Sequence, residues 1–382
     1  MNTFVKVTAW LLGGLTLIVA GVAMVNAQIV ASVDGETLVH ASQYRDGKFL
    51  NTKVFEQPGL LKTLQIAKRY FTEPAQDKAP LKAMPVEKVS LDQLGALSHQ
   101  GVHFIKLGHS SLLLKVYGEY WLLDPVFSER ASPFSFLGPK RFHQAPIGID
   151  ELPVIDKVLI SHNHYDHLDK ASIKKLVAKT KQFLVPLGVE VDLQKWGVAA
   201  DAIVRFDWWQ ELQTDNALIA FAPTQHFSGR GIGDGNTTLW GSWVIKTAAG
   251  SIYFSGDSGY FDGFKQIGAA YGPFDVAFIE TGAYDNDWAD IHMTPEQSVQ
   301  AHVDVKGQVM VPVHNGTFDL AFHSWYDPLL RVSAAARQAN ALLLTPIFGQ
   351  PISLATLKQH VAVNTEWWHS LMPEPYAVVP AQ

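Results

Sequence analysis

The stretch Ser161-His162-Asn163-His164-Tyr165-Asp166-His167 gathers three imidazoles and a carboxylate within six residues. Nitrogen and oxygen donors of this kind bind zinc and related divalent cations. The apolar run Val158-Leu159-Ile160 just before them reads as a strand whose rigid end holds the donors in place. Three more candidate ligands share that placement. His226 follows the apolar run Ala217 to Pro223, Asp257 follows Ser251 to Phe254, and His314 follows Gln308 to Val313. Strand ends that open together on one edge of a sheet are a natural place for a site. A lone histidine after an apolar segment is usually a satisfied core residue, but this many in this order point to a metal constellation.

The elements that must position these groups belong to an ordinary globular chain. Its 382 residues, 47% hydrophobic and 17% charged, suffice for a sizeable core and do not fit the disordered class. The net charge of -6, from 30 basic and 36 acidic residues, gives no broad cationic footprint, so nucleic acid is not expected as a partner. Cysteine is absent, which excludes thiolate ligands, a cysteine nucleophile and a disulfide frame.

Residues 1–27 read as a signal peptide or membrane anchor. Lys6 is the only charged side chain before Asp34, and Val7 to Val25 is nearly all apolar, close to the roughly 20 residues that span a bilayer. Val25-Asn26-Ala27 has the small-residue pattern of a cleavage site, whereas the length of the run favours retention. Lys6 on the inner side puts the remainder outside the cytoplasm. The expected location is the cell envelope, anchored and facing outward, or periplasmic if the leader is cleaved.

Residues 28–98 read as an N-terminal arm, with turns at Asp34-Gly35 and Asp46-Gly47, a helix over Leu60 to Phe71, and Pro74, Pro80 and Pro85 in an extended connection. Residues 99–382 form the main domain. It opens with hairpin strands from Val102 to Leu123, continues with a helix over Lys170 to Thr180 and alternating strands and helices, and ends in a helix over Asp327 to Asn340. Thr294-Pro295-Glu296-Gln297 starts a further helix with a capping box. The loop Phe127 to Phe142 combines aromatic residues with Arg130, Lys140 and Arg141. It reads either as a wall for an amphiphile with an anionic head or as packing with solvated charges. His109, His143, His302 and His323 read as core or surface residues.

The order His162, His164, Asp166, His167, His226, Asp257, His314 resembles the metallo-β-lactamase superfamily. That resemblance implies an α/β fold, a four-layer αβ/βα sandwich with the metal site on an edge of its sheets. Gly108-His109-Ser110-Ser111, Leu123-Asp124-Pro125, Gly138-Pro139-Lys140-Arg141, Trp240-Gly241-Ser242-Trp243 and His292-Met293-Thr294-Pro295-Glu296 are similar to the branch containing N-acyl-phosphatidylethanolamine-hydrolysing phospholipase D.

Carried over, the resemblance implies two zinc ions: His162, His164 and His226 on one, Asp166, His167 and His314 on the other, and Asp257 between them. Iron or manganese also suits such nitrogen and oxygen donors. A pair of cations lowers the pKa of a bound water far below that of bulk water, towards ~7, so no serine or cysteine nucleophile is needed. Asp166 would manage the water's proton, His292 would face substrate or support the site, and Asp124 would orient a ligand histidine or brace the loop. The implied activity is a phosphodiesterase of phospholipase D type acting on N-acyl phosphatidylethanolamine-like lipids or another small amphiphilic ester, with the protein associated with a membrane. The alternatives are a lactonase or amidase attacking a carbonyl, and a membrane-attached envelope protein whose metal is structural.

Overall fold

The computed structural model describes residues 20–30, 38, 41, 43–53, 55, 59–73 and 76–373. The turn expected at Asp34-Gly35 and positions 7–19 of the apolar leader lie outside the described residues. Residues 20–29 are helical, and no helix among the described residues is long and apolar enough to cross a membrane.

Two seven-stranded sheets form the body of the molecule. In the first, the order is Pro351–Ser353, Val102–Gly108, Ser111–Val116, Glu119–Leu123, Ile155–Leu159, Thr180–Pro186, Ile203–Phe206. In the second it is Leu342–Leu343, Gly307–Val313, Phe274–Glu280, Gly250–Phe254, Ser242–Thr247, Leu218–Ala222, Glu211–Gln213. Antiparallel hairpins in each sheet give way to parallel pairs, Glu119–Leu123 with Ile155–Leu159 in the first and Gly250–Phe254 with Phe274–Glu280 in the second.

Strand Ser111–Val116 shows why the sheets stack. Leu112, Leu114 and Val116 face the core between the sheets, where they join Phe104, Phe221, Trp243 and Phe278. Leu113 faces the other way, towards Ile173 and Leu176 of the helix Lys170–Leu176. Side chains alternate sides along a strand, and a strand covered on both faces is buried throughout. On the far side of the second sheet, Ala277 and Met310 pack against Phe264, Val299 and Val332 from the helices Gly263–Ala270, Pro295–Asp304 and Asp327–Gln338. Helix, sheet, sheet and helix make the four layers that the family resemblance implies.

The helix expected over Lys170 to Thr180 is shorter. After Leu176 the chain makes a 3₁₀ turn over Val177–Lys179, and Thr180 already belongs to the next strand. Pairing of Ile155 with Thr180 and of Leu159 with Leu184 takes these residues from the helix, a case of tertiary pairing overriding local propensity. The 28–98 stretch enters the cores as well, with Phe49 in the central layer and Leu94 beneath the first sheet. At Asp46-Gly47 the chain makes the expected hairpin turn, joining Tyr44–Arg45 to Lys48–Phe49, with φ of 52° and 79°.

One contact ties the central core to the metal loop. Trp243 packs against Phe206 and Phe221 and donates its indole N–H to the Ile160 carbonyl, 3.0 Å away. Trp243→Phe keeps most of the ring and removes the donor, and it should cost about 1–3 kcal/mol in urea unfolding. An unchanged denaturation midpoint would show that this hydrogen bond does not hold the loop.

Candidate metal centre

The site grows from strand ends. Asp124 follows Glu119–Leu123, the 162–167 loop follows Ile155–Leu159, and His226, Asp257 and His314 follow Leu218–Ala222, Gly250–Phe254 and Gly307–Val313. Ladder directions place these carboxyl ends on one edge, where open α/β sheets bind ligands. Leaving the ladders there requires unusual backbone: His109, Asp124 and His314 have φ of 50°, 41° and 62°. Left-handed conformations of residues other than glycine are sparsely populated and concentrate at functional sites.

All seven candidate ligands come together. His162 Nε2 lies 2.9 Å from His164 Nδ1, and His226 Nε2 lies 3.2 Å from the same atom; these three can hold one cation. Asp166 Oδ2 lies 3.2 Å from His314 Nε2 and 3.6 Å from His167 Nε2. Asp257 stands between the two groups. Its Oδ2 is 3.1 Å from both His167 Nε2 and His314 Nε2, 3.7 Å from His162 Nε2 and 3.8 Å from His226 Nε2.

The far sides of His162, His167 and His226 are braced, as is usual for metal-bound histidines, His162 Nδ1 by the Ser161 hydroxyl at 2.9 Å. His167 Nδ1 lies 2.7 Å from Asp124 Oδ2, and Asp124 also accepts the Ser161 backbone N–H at 2.7 Å and its hydroxyl at 2.6 Å. His226 Nδ1 faces the Ile291 carbonyl at 3.0 Å. The Asn51 amide clamps the His226 backbone, donating to its carbonyl at 2.7 Å and accepting its N–H at 3.0 Å. Asn51 comes from the N-terminal stretch, and nothing near it in the sequence signals that duty.

Two further groups were not singled out in the sequence. His109 is buried, with Nε2 3.0 Å from Asp166 Oδ2 and its ring 4.0 Å from that of His314, so it belongs to the site rather than to core or surface duty. Its signal was a histidine after Gly108 at a hairpin tip, where the ladder ends. Glu280 is fully buried at the end of its strand, accepts the Ser258 N–H at 2.6 Å and pairs closely with His292 Nδ1. A charge closing the apolar run Val276 to Ile279 was its only trace. His292 itself lines the cavity above the centre.

Electrostatics favour a cation. Burial draws His162 and His226 well below the usual imidazole range and His164 to about 4, which keeps them neutral as ligands must be. Burial would also raise Asp166 and Asp257, yet the surrounding imidazoles hold both well below the ordinary carboxylate range. Conversely, burial would lower His314, but Asp257 and Asp166 bring it up to about 10. His167 Nε2, His314 Nε2 and Asp257 Oδ1 are buried without a hydrogen-bond partner among the described residues. Each such orphan costs about 1–3 kcal/mol unless something satisfies it, and ligation does so. The residues therefore fit a metal pair.

A cavity of about 580 Å³ opens over the centre. Its lining combines His164, Asp166, Asp257 and His314 of the centre with Phe55, Ile66, Tyr70, Phe227, Trp288 and Leu320, and the polar Asn286, Asp287 and Asp290 line it as well. None of Phe127, Phe134, Phe136 and Phe142 lines it, so the wall expected from the 127–142 loop comes instead from the helix Leu60–Thr72 and the 283–292 segment.

Comparison with known proteins agrees with this geometry. The family described as beta-lactamase superfamily domain matches residues 120–315. An uncharacterized protein of Mycobacterium tuberculosis is 40% identical over 334 residues, covering 85% of this chain and 87% of that relative. The N-acyl-phosphatidylethanolamine-hydrolyzing phospholipase D 1 of Caenorhabditis elegans is 32% identical over 306 residues, covering 75% of this chain and 85% of that one. A metallo hydrolase structure from Ignicoccus hospitalis shares the fold with a TM-score of 0.51 at 21% identity, covering 66% of this chain and 97% of its own.

If Asp257 links two cations, Asp257→Asn should lower the metal content per chain and remove nearly all hydrolytic activity, whereas Asp124→Asn should weaken metal affinity about 10- to 100-fold. Metal analysis after dialysis checks both. Full metal loading and an unchanged rate in D257N would end the bridging assignment.

Proposed function

Because the chain belongs to the metallo-β-lactamase superfamily and is a metal-dependent hydrolase, we propose that it is a two-metal phosphodiesterase of phospholipase D type, acting on N-acyl phosphatidylethanolamine-like lipids. The observation that carries this reading is the cavity: candidate ligand residues and a set of aromatic and aliphatic side chains share one lining, which suits a substrate with a phosphate head and acyl tails. The relative from Caenorhabditis elegans named for that activity supports it.

In this reading His162, His164 and His226 hold one zinc, Asp166, His167 and His314 the other, and Asp257 both; the donor set also suits iron or manganese. The bound pair supplies an activated water and neutralises charge on the phosphoryl oxygens. Asp166, fixed by His109 on one oxygen, receives the proton of the attacking water. His292, with Nδ1 engaged by Glu280, presents Nε2 to the cavity, where it donates to a phosphate oxygen. Apolar walls exclude bulk water from the head group, and Phe227 and Trp288 receive the acyl chains.

The same proposal has residues 1–27 holding the chain at the cell envelope as anchor or leader, residues 28–98 as an arm and 99–382 as the hydrolase domain. It includes association with a membrane and no nucleic-acid partner.

The full chain loaded with zinc should release phosphatidic acid from N-acyl phosphatidylethanolamine, and a chelator should abolish the release until metal is restored. Ile66→Asp, which charges the apolar wall, should raise KM for the lipid far more than for a short water-soluble phosphodiester. Hydrolysis of lactones or amides with no turnover of any phosphodiester would overturn the assignment in favour of carbonyl chemistry. Full metal loading with no turnover of any ester would favour a structural metal.

A further inference from the structure

A second cavity, of about 540 Å³, lies on the other side of the 162–167 loop. Arg130, Lys170, Lys174 and Arg230 line it together with Phe134 and Trp196. The two carboxylates in the lining are already engaged: Glu129 pairs with Lys140 at 2.7 Å, and Asp169 caps its helix through the Ala171 N–H and accepts the Ser128 N–H at 3.0 Å. Cations therefore meet here in excess. Partial burial lowers Lys170, and Lys174, Lys195 and Arg230 push it further in the same direction.

The rim is apolar and exposed. Phe136, with its ring 5.6 Å from that of Phe134, is 78% exposed, and Ile232 is 71% exposed. Leu137, next to Phe136 in the chain, and Met24, next to the cavity-lining Val25, are exposed as well. Scattered apolar residues on a surface are normal, whereas a cluster around one cavity marks an interaction site. The 20–29 helix, whose first residues end the apolar run Val7 to Val25, is fixed to this same rim. Asn26 donates to the Ile232 carbonyl at 3.0 Å and accepts the Ile232 N–H at 2.7 Å, while Lys195 donates to the carbonyls of Ala27 and Val30 at 3.1 and 3.0 Å. Val25 and Ile29 line the cavity itself.

We propose that this rim and its cation-lined cavity dock the folded domain on a bilayer that carries anionic phospholipid, with Phe136, Leu137 and Ile232 entering the headgroup region and a lipid phosphate seated among Arg130, Lys170 and Lys174. Charge complementarity and continuity with the apolar run select this occupant: residues 20–25, the last of that run, belong to the helix fixed at the rim, and interfacial sites pair inserted apolar side chains with surrounding Lys and Arg. The surface also abuts the chemistry. Arg230 donates to the carbonyls of Asn163 and Leu168 at 2.6 and 2.8 Å and stacks on Tyr165, so the docking face is the back of the loop that carries His162 to His167. The proposal does not rest on the phospholipase reading, since it concerns lipid that is bound and not cleaved.

The full chain is tested against vesicles of phosphatidylcholine alone and of phosphatidylcholine with phosphatidylglycerol, neither containing the proposed substrate, by sedimentation at low and high salt. The run Val7 to Val25 is uncharged, so what it adds to binding is common to both vesicles. Anionic lipid should strengthen binding about tenfold or more, an effect that high salt removes. Lys170→Gln with Lys174→Gln should abolish that anionic preference while leaving binding to phosphatidylcholine unchanged, and Phe136→Ser with Leu137→Ser should lower binding to both. Metal content and circular dichroism confirm that the variants are folded. Equal binding of the parent to both vesicles overturns the proposal, as does an undiminished anionic preference in K170Q/K174Q or undiminished binding in F136S/L137S. Failure of lipid hydrolysis would leave these measurements intact.

Discussion

Asp257 is almost wholly buried, with ring nitrogens of four histidines within 3.1–3.8 Å of one carboxylate oxygen. Such a concentration of dry, titratable groups is costly unless positive charge is shared with them, and the molecule is arranged to make that sharing possible. Two sheets stacked on Phe104, Trp243 and Phe278 provide a frame too stiff to let the donors relax apart. Behind three of the imidazoles stands a fixed partner: Asp124 for His167, the Ile291 carbonyl for His226 and the Ser161 hydroxyl for His162.

That arrangement explains where local rules give way. Strands made of alternating apolar residues end abruptly at the site edge, and His109, Asp124 and His314 adopt left-handed backbone there. A residue of ordinary conformation would continue the ladder and carry its side chain past the centre. Close approach is also required: a Cβ on Gly282 would lie 2.1 Å from the His314 carbonyl, so only glycine lets that turn pass.

The N-terminal stretch is part of the same device. Arg69 pairs with Asp285 at 2.8 Å, and Tyr70 donates to the Leu320 carbonyl at 2.9 Å, which seats the helix Leu60–Thr72 on the 283–292 segment and closes one side of the cavity. Asn51 meanwhile holds His226. The basic cavity behind the same loop shares Arg230 with it, since that side chain lines the cavity and donates to the carbonyls of Asn163 and Leu168.

The metal loop was legible in the chain because its donors are neighbours: His162, His164, Asp166 and His167 lie within one turn of backbone, and spacing alone restricts what they can do. Strand periodicity located the ends that bring His226, Asp257 and His314 to them, and the family resemblance supplied the pairing. His109, Glu280 and Asn51 were not legible, because each acts across a long separation in sequence and is surrounded by residues that suit ordinary structure. One of two readings of the aromatic 127–142 loop made it a substrate wall, yet the cavity over the centre is lined by the helix Leu60–Thr72 and the 283–292 segment, since an amphipathic helix records that it has a face to bury but not what that face will cover. Local spacing determined the chemistry available to this chain; packing of distant segments decided which groups brace it, which residues line the cavity over it and which basic face lies behind the loop.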